Sequence, residues 1–214
     1  MGVVGTAILL ALGIWQVQRL AWKETIIAEI DARISDAPVA LPAISDPESD
    51  RFLPVTATGT ITDEEINVLV SLKTVGPGYR VISVMETEGR RILVDRGFIR
   101  NTFKDEERPE VSATVIGNLH WPDEVDRFTP EPDEAGNIWF ARDVPRMAAA
   151  LNAEPTMIIL SETSEDRPAV SPLPVDTSGI PNDHLQYAIT WFGLAVVWVG
   201  MTLALLWRIR QRTI

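Results

Sequence analysis

AITWFGLAVVWVGMTLALLW, residues 188–207, is the stretch on which the fold turns. It is uncharged throughout, and its 20 residues, at about 1.5 Å of helical rise each, reach roughly 30 Å, the thickness of a bilayer's hydrocarbon core. Trp191 and Trp207 stand near its two ends, as an interfacial belt requires, and Arg208, Arg210 and Arg212 follow at once. The pattern predicts a transmembrane helix over 188–207, with the basic tail, residues 208–214, held in the cytoplasm.

A shorter apolar run stands at the other end of the chain. Residues 2–17 are interrupted only by Thr6 and Gln16, close to the minimum length for a span, so a first transmembrane helix is expected over 1–17. A cleaved signal peptide is not expected, because no basic region precedes the run and no small-x-small site follows it before Trp15, Gln16 and Arg19. With both segments spanning, the helices run antiparallel, both termini are cytoplasmic, and residues 18–187 form a domain on the outer side. Arg19 and Lys23 then lie outside against the charge rule, and the three arginines after the second helix outweigh them. Gly2 and Thr6, and Ala7 and Ala11, are small residues four apart, while Gly193, Gly200 and Ala204 offer small surfaces on the second helix. Two readings stand side by side: close helix packing, or the ordinary glycine content of membrane helices.

The outer segment is acidic. All 30 Asp and Glu fall between Leu20 and Tyr187, while Arg19, Arg208, Arg210 and Arg212 lie beyond it. Such a surface repels phosphate backbones, which argues against nucleic acid as a partner. The chain has no cysteine, which rules out disulfides, thiolate metal sites and covalent haem attachment through a C-x-x-C-H pair. Imidazole chemistry must use His120 or His184, the two histidines of the chain.

Leu20 to Ile34 carries Ile26, Ile27, Ile30 and Ile34 at helical spacing, so the first helix is expected to continue past the bilayer. Ser35 to Asp50, with Pro38, Pro42 and Pro47, is a loop. Strands are expected at Val55–Ile61, Ile66–Leu72, Tyr79–Met85, Arg91–Ile99, Val111–Leu119 and Thr156–Ser161, each rich in β-branched residues and bounded by Gly, Pro, Asn or Asp. Asp143 and Pro145 mark the start of a short helix through Leu151, and the proline-rich stretch 167–183 runs extended into the second membrane helix. The expected fold is an α+β membrane protein: two antiparallel transmembrane helices flanking a small antiparallel barrel or sandwich, with one or two short helices.

Asp95 and Arg96 lie on opposite faces of a strand and are not a pair; Arg96 is expected to meet a different carboxylate in a structural ion pair. His120, beside Trp121 and Pro122, reads as a solvated loop residue. Asp123, Glu124 and Asp126 read as a solvated loop too, and with no nucleophile–base pair, phosphate loop or metal cluster in the sequence, enzyme activity is not expected. Around His184, Asn182 and Asp183 are expected to cap the incoming helix, with Gln186 in a capping-box-like position. Steps of three and four then place His184, Tyr187, Trp191, Ala195 and Trp198 on one face. Two uses fit that face: an imidazole ligating a haem iron above an aromatic groove, or an interfacial polar residue over a row of lipid anchors.

GIWQVQRLAWK (13–23), FLPVTATGT (52–60), PGYRVI (77–82), ILVDRGF (92–98), NIWFARDVPRMA (137–148) and NDHLQYAITWFGLA (182–195) resemble, in order and spacing, the Surfeit locus protein one family, the cytochrome c oxidase assembly factors. The resemblance covers nearly the whole chain. It implies a bacterial inner-membrane protein, its main domain periplasmic, that binds haem a transiently and helps its insertion into the catalytic subunit of a haem-copper oxidase. It carries His184 over as the haem iron ligand; Tyr187, Trp191 and Trp198, on the same helix face by spacing, would then flank the macrocycle. The implied partners are the catalytic oxidase subunit, the haem a synthase and membrane lipid. A scaffold that stabilises an oxidase intermediate without touching haem is the alternative. The family's strand-block glycine falls on Gly59, where a turn is expected.

Overall fold

The computed structural model describes residues 2–213; Met1 of the expected first helix and Ile214 of the expected tail lie outside the described residues. Helix α1 spans Gly2–Ile34 and α3 spans His184–Thr213. Both are long and apolar enough to cross a membrane. Between them lie β1 (Val39–Ala40), β2 (Pro54–Leu72), β3 (Gly76–Thr87), β4 (Arg90–Arg100), β5 (Val111–Leu119), the short helix α2 (Val144–Ala150) and β6 (Met157–Thr163). The chain divides into two compact units: residues up to Asp31 together with those from Thr177 onward, and Ala32–Asp176.

In Ala32–Asp176 the two strands expected at 55–61 and 66–72 are one strand, β2, with its register shifted between Ile61 and Glu65. Asp63 and Glu64 look like a turn in sequence. They instead ride a bulge in which the Thr62 hydroxyl donates to the Val84 carbonyl (3.3 Å) and accepts from the Glu64 amide (3.3 Å). The change of partner comes just before the bulge, where Thr60 and Ile61 pair with both β5 and β3. The first half of β2 pairs with β5, from Pro54↔Asn118 to Ile61↔Val111, and its second half with β3, as in Ile66↔Ile82. The β3–β4 turn falls at Glu88 and Gly89, both with positive φ (49° and 74°), the geometry that matches the twist of a tight hairpin.

Strand β6 pairs with β4 on one side and β5 on the other, so β2, β3, β4, β6 and β5 form a ring that closes through the β2–β5 ladder. The sheet is therefore a small barrel, but a mixed one. The β4–β6 and β1–β2 pairings are parallel, against the antiparallel expectation; for β4–β6 the long excursion through β5 and α2 returns the chain in the direction of β4. Strands β3, β4 and β6 are buried on both faces over most of their length, and the core takes Ile61, Ile82, Met85, Ile92, Leu93, Leu119, Ile158 and Leu160, all essentially inaccessible. Each such side chain contributes on the order of 1.5–3 kcal/mol by leaving water. Helix α2 adds Val144, Met147 and Ala148 to the same core. It starts where expected: the Asp143 side chain accepts from the Arg146 amide (3.2 Å) and Pro145 stands in the first turn.

Gly59 is not in a turn. It sits inside β2, paired with Ala113, where the strand passes from β5 to β3, and a Cβ there would collide with the Glu86 carbonyl. Gly97 has a different reason. Its φ is 112°, and it bulges β4 so that the extended segment can bridge at Phe98↔Ser171, with a Phe98 amide to Ser171 carbonyl bond of 2.7 Å.

Candidate functional site

In the two-helix unit, α1 and α3 pack antiparallel along stripes spaced alternately four and three. On α1 the partly or fully buried positions include Gly2, Thr6, Leu9, Gly13, Gln16 and Leu20; on α3 they include His184, Ala188, Trp191, Ala195 and Thr202. That spacing is the seam of a left-handed helix pair. Small residues bring the backbones together. A Cβ on Gly5 would lie 2.7 Å from the Trp198 indole, and one on Gly13 2.7 Å from the Phe192 ring. The Trp198 Nε1–H donates to the Gly2 carbonyl (3.0 Å). Gly2 is thus a packing residue, whereas Gly193 and Gly200 have open space where a Cβ would stand and take no part in the seam.

His184 is the first residue of α3. Asp183 caps through its backbone, its carbonyl accepting from the Tyr187 amide (3.1 Å), while the Asn182 side-chain oxygen is buried without a partner among the described residues, so Asn182 does not serve as the cap. The Lys23 ammonium donates to the Pro181 carbonyl, and Thr177 Oγ1 donates to Asp31 (2.7 Å), pinning the segment before α3 to α1. Lys23 therefore ties chain to chain rather than reaching outward, while Arg19 stacks on Trp22, 3.7 Å from the ring centroid.

Gln16, 8 % exposed, is a buried polar residue in an otherwise apolar stripe, and its Oε1 lies 2.8 Å from His184 Nδ1. An amide oxygen only accepts, so Nδ1 carries the hydrogen and Nε2 is the basic nitrogen. Of the four expected site residues, His184 and Trp191 share the seam. Trp198 is committed to α1 through its indole, and Tyr187, 54 % exposed, lies at the edge of the stripe beside His184. Sequence reasoning passed over Gln16. The signal was present: a polar residue in register with Gly2, Thr6, Leu9 and Gly13.

The strand-rich unit, Ala32–Asp176, has its own polar centre. Asp95, fully buried, accepts from Arg80 Nε (2.8 Å), Arg142 Nη1 (3.1 Å) and the Gly97 amide (3.1 Å). Arg142 also forks onto Glu124, and Arg80 donates to the Leu173 carbonyl (2.9 Å). Burial pushes the Glu124 carboxyl up, and the Arg142 bonds more than offset it, leaving the group below its ordinary value. Arg96 pairs with Glu165 at 2.8 Å, apart from Asp95 as expected. His120 is not a solvated loop residue. It stacks on Phe52 (centroids 4.8 Å apart), its Nδ1 is buried and unpartnered among the described residues, and burial together with the Arg142 and Arg51 charges lowers its pKa to about 4. Arg80, His120 and Arg142 border a cavity of about 320 Å³. Its charges are matched internally, which makes the cluster a brace between β3, β4 and the loop before α2.

The family model described as the SURF1 family matches residues 3–196. A SURF1-like protein of Drosophila melanogaster is 31% identical over 213 residues, covering 86% of this chain and 69% of that protein. Surfeit locus protein 1 of Homo sapiens is 31% identical over 211 residues, covering 86% of this chain and 69% of its own length. A SURF1-like protein of Rickettsia bellii is 28% identical over 218 residues, covering 97% of this chain and 88% of that protein. With the matched region running from the first turns of α1 through the His184 seam of α3, the chain belongs to the SURF1 family.

Proposed function

We propose that this protein is an assembly factor for a haem-copper cytochrome c oxidase, that it holds haem a transiently through His184 Nε2, and that it passes the group toward the catalytic subunit. The observation that supports the reading is the 2.8 Å bond between His184 Nδ1 and Gln16, which leaves Nε2 as the free ring nitrogen at the end of an apolar helix pair. The donor set fits the group: an imidazole locked in one tautomer, with the Tyr187 and Trp191 rings adjacent on α3. Haem supplies an iron centre with open axial positions; the chain contributes the nitrogen, its orientation and an apolar wall. One axial histidine allows binding loose enough for release.

In this reading α1 and α3 span the bacterial inner membrane, both chain ends are cytoplasmic, and the barrel is periplasmic, facing the catalytic subunit or the haem a synthase. Arg208, Arg210 and Arg212 support that orientation. The role is that of an assembly factor and not of a catalyst. The test is the absorption spectrum of protein purified from cells that make haem a. A haem spectrum that His184→Ala weakens is expected; the same spectrum and stoichiometry in the variant would remove the ligand.

One observation favours the scaffold reading instead. On the Trp191–Trp198 face that would wall a macrocycle, Trp191 is half-buried and the Trp198 indole N–H is already committed to the Gly2 carbonyl of α1. Protein without haem affinity that still copurifies with the catalytic subunit would decide for the scaffold.

A further inference from the structure

Gln16 is the feature of the helix pair that packing does not explain. Its side chain is buried in the seam, where leucine would fill the space without a polar group to desolvate, and a buried amide is tolerated only when bonded. Its bond is to the imidazole and to nothing apolar packing needs: Oε1 meets His184 Nδ1 at 2.8 Å across 168 positions of sequence. Gln18, two residues on, faces outward. We propose that Gln16 is the positioning residue of His184, fixing the Nδ1–H tautomer and leaving Nε2 free as the nitrogen that ligates. The proposal rests on the haem-ligand reading for its purpose and on the seam geometry for its content.

The physical consequence is specific. An imidazole that donates from Nδ1 to a carbonyl has more imidazolate character and is a stronger ligand through Nε2. Without the bond the ring is free to rotate and to take the other tautomer, which turns Nε2 into an N–H that cannot ligate. Loss of such an outer partner lowers metal affinity by roughly 10–100-fold.

The experiment uses the full chain in detergent with three variants, Gln16→Leu, Gln16→Glu and His184→Ala. The first readout needs no haem: nitrogen NMR of histidine-labelled protein, with His120→Phe identifying the second histidine. The wild type is expected to show protonated Nδ1 at His184, and Gln16→Leu to shift the ring toward protonated Nε2. The second readout is titration with haem a, followed by the iron–histidine stretch of the ferrous complex. Gln16→Leu is expected to weaken binding 10–100-fold and lower the stretching frequency; Gln16→Glu, a stronger acceptor, raises it. Leucine suits the apolar seam, so the variant's helix content is expected to match the wild type. Unchanged tautomer, affinity and stretch in Gln16→Leu, alongside lost binding in His184→Ala, overturns the positioning role and leaves the ligand reading standing. Wild-type binding by His184→Ala overturns both.

Discussion

Asp95→Ala tests the claim that the arginine–carboxylate cluster braces the barrel. The substitution deletes acceptors for Arg80 Nε (2.8 Å), Arg142 Nη1 (3.1 Å) and the Gly97 amide (3.1 Å) inside a fully buried site. Two charge-assisted bonds are worth roughly 1.5–3 kcal/mol each, and a buried amide left without an acceptor costs about 1–3 kcal/mol. The guanidinium groups are not stranded, because Arg142 keeps Glu124 and Arg80 keeps the Leu173 carbonyl. The expected loss is therefore about 3–5 kcal/mol, the range for breaking a buried pair and a large share of a domain's total stability. With a urea slope of about 2 kcal/mol/M, the unfolding midpoint of the barrel falls by roughly 2 M. The assay is urea unfolding of the full chain in detergent, read by strand circular dichroism. Asp95→Asn, which keeps an acceptor, should fall between. A loss below about 1 kcal/mol in Asp95→Ala would show that the cluster is incidental to stability and refute the brace.

Other consequences follow from the same geometry. Gly59→Val places a branched side chain against the Glu86 carbonyl where β2 changes partner, and is expected to leave little folded barrel, measured as soluble, protease-resistant protein. His120, with its pKa lowered to about 4, binds a proton more readily unfolded, so its share of stability is intact above pH 6.5 and is lost as pH falls toward 4. After discounting for partial exposure the loss by pH 5 is about 1 kcal/mol, and it should vanish in His120→Phe; a wild-type and variant pair with parallel pH–stability curves would contradict the assignment. Gly13→Leu collides with Phe192 across the helix seam and should lower the thermal midpoint of helical circular dichroism, whereas Gly200→Ala, facing open space, should leave it unchanged.

The strand-rich domain shows where local reading succeeds and where it stops. Val111–Leu119 is a strand over the expected residues because alternation and β-branching are properties of nine neighbouring residues. The two strands expected at Val55–Ile61 and Ile66–Leu72 are one, and the sequence divides them because acids in mid-strand have no local explanation. Only the Val84 carbonyl on the next strand gives Thr62 its partner. His120 was misplaced for a similar reason, since Phe52 and the Arg142 charge that surround it arrive from distant segments.

Sequence by itself determined the two long apolar helices, the acidic strand-rich segment between them, and His184 at the start of the second helix, because length, hydropathy and capping are read within a few turns of chain. Tertiary structure alone decided that the sheet closes into a mixed barrel, that Arg80, Asp95 and Arg142 share one buried site, and that Gln16 meets His184. Such pairings depend on which segments the folded chain brings together, and no local pattern encodes a hydrogen bond across 168 residues.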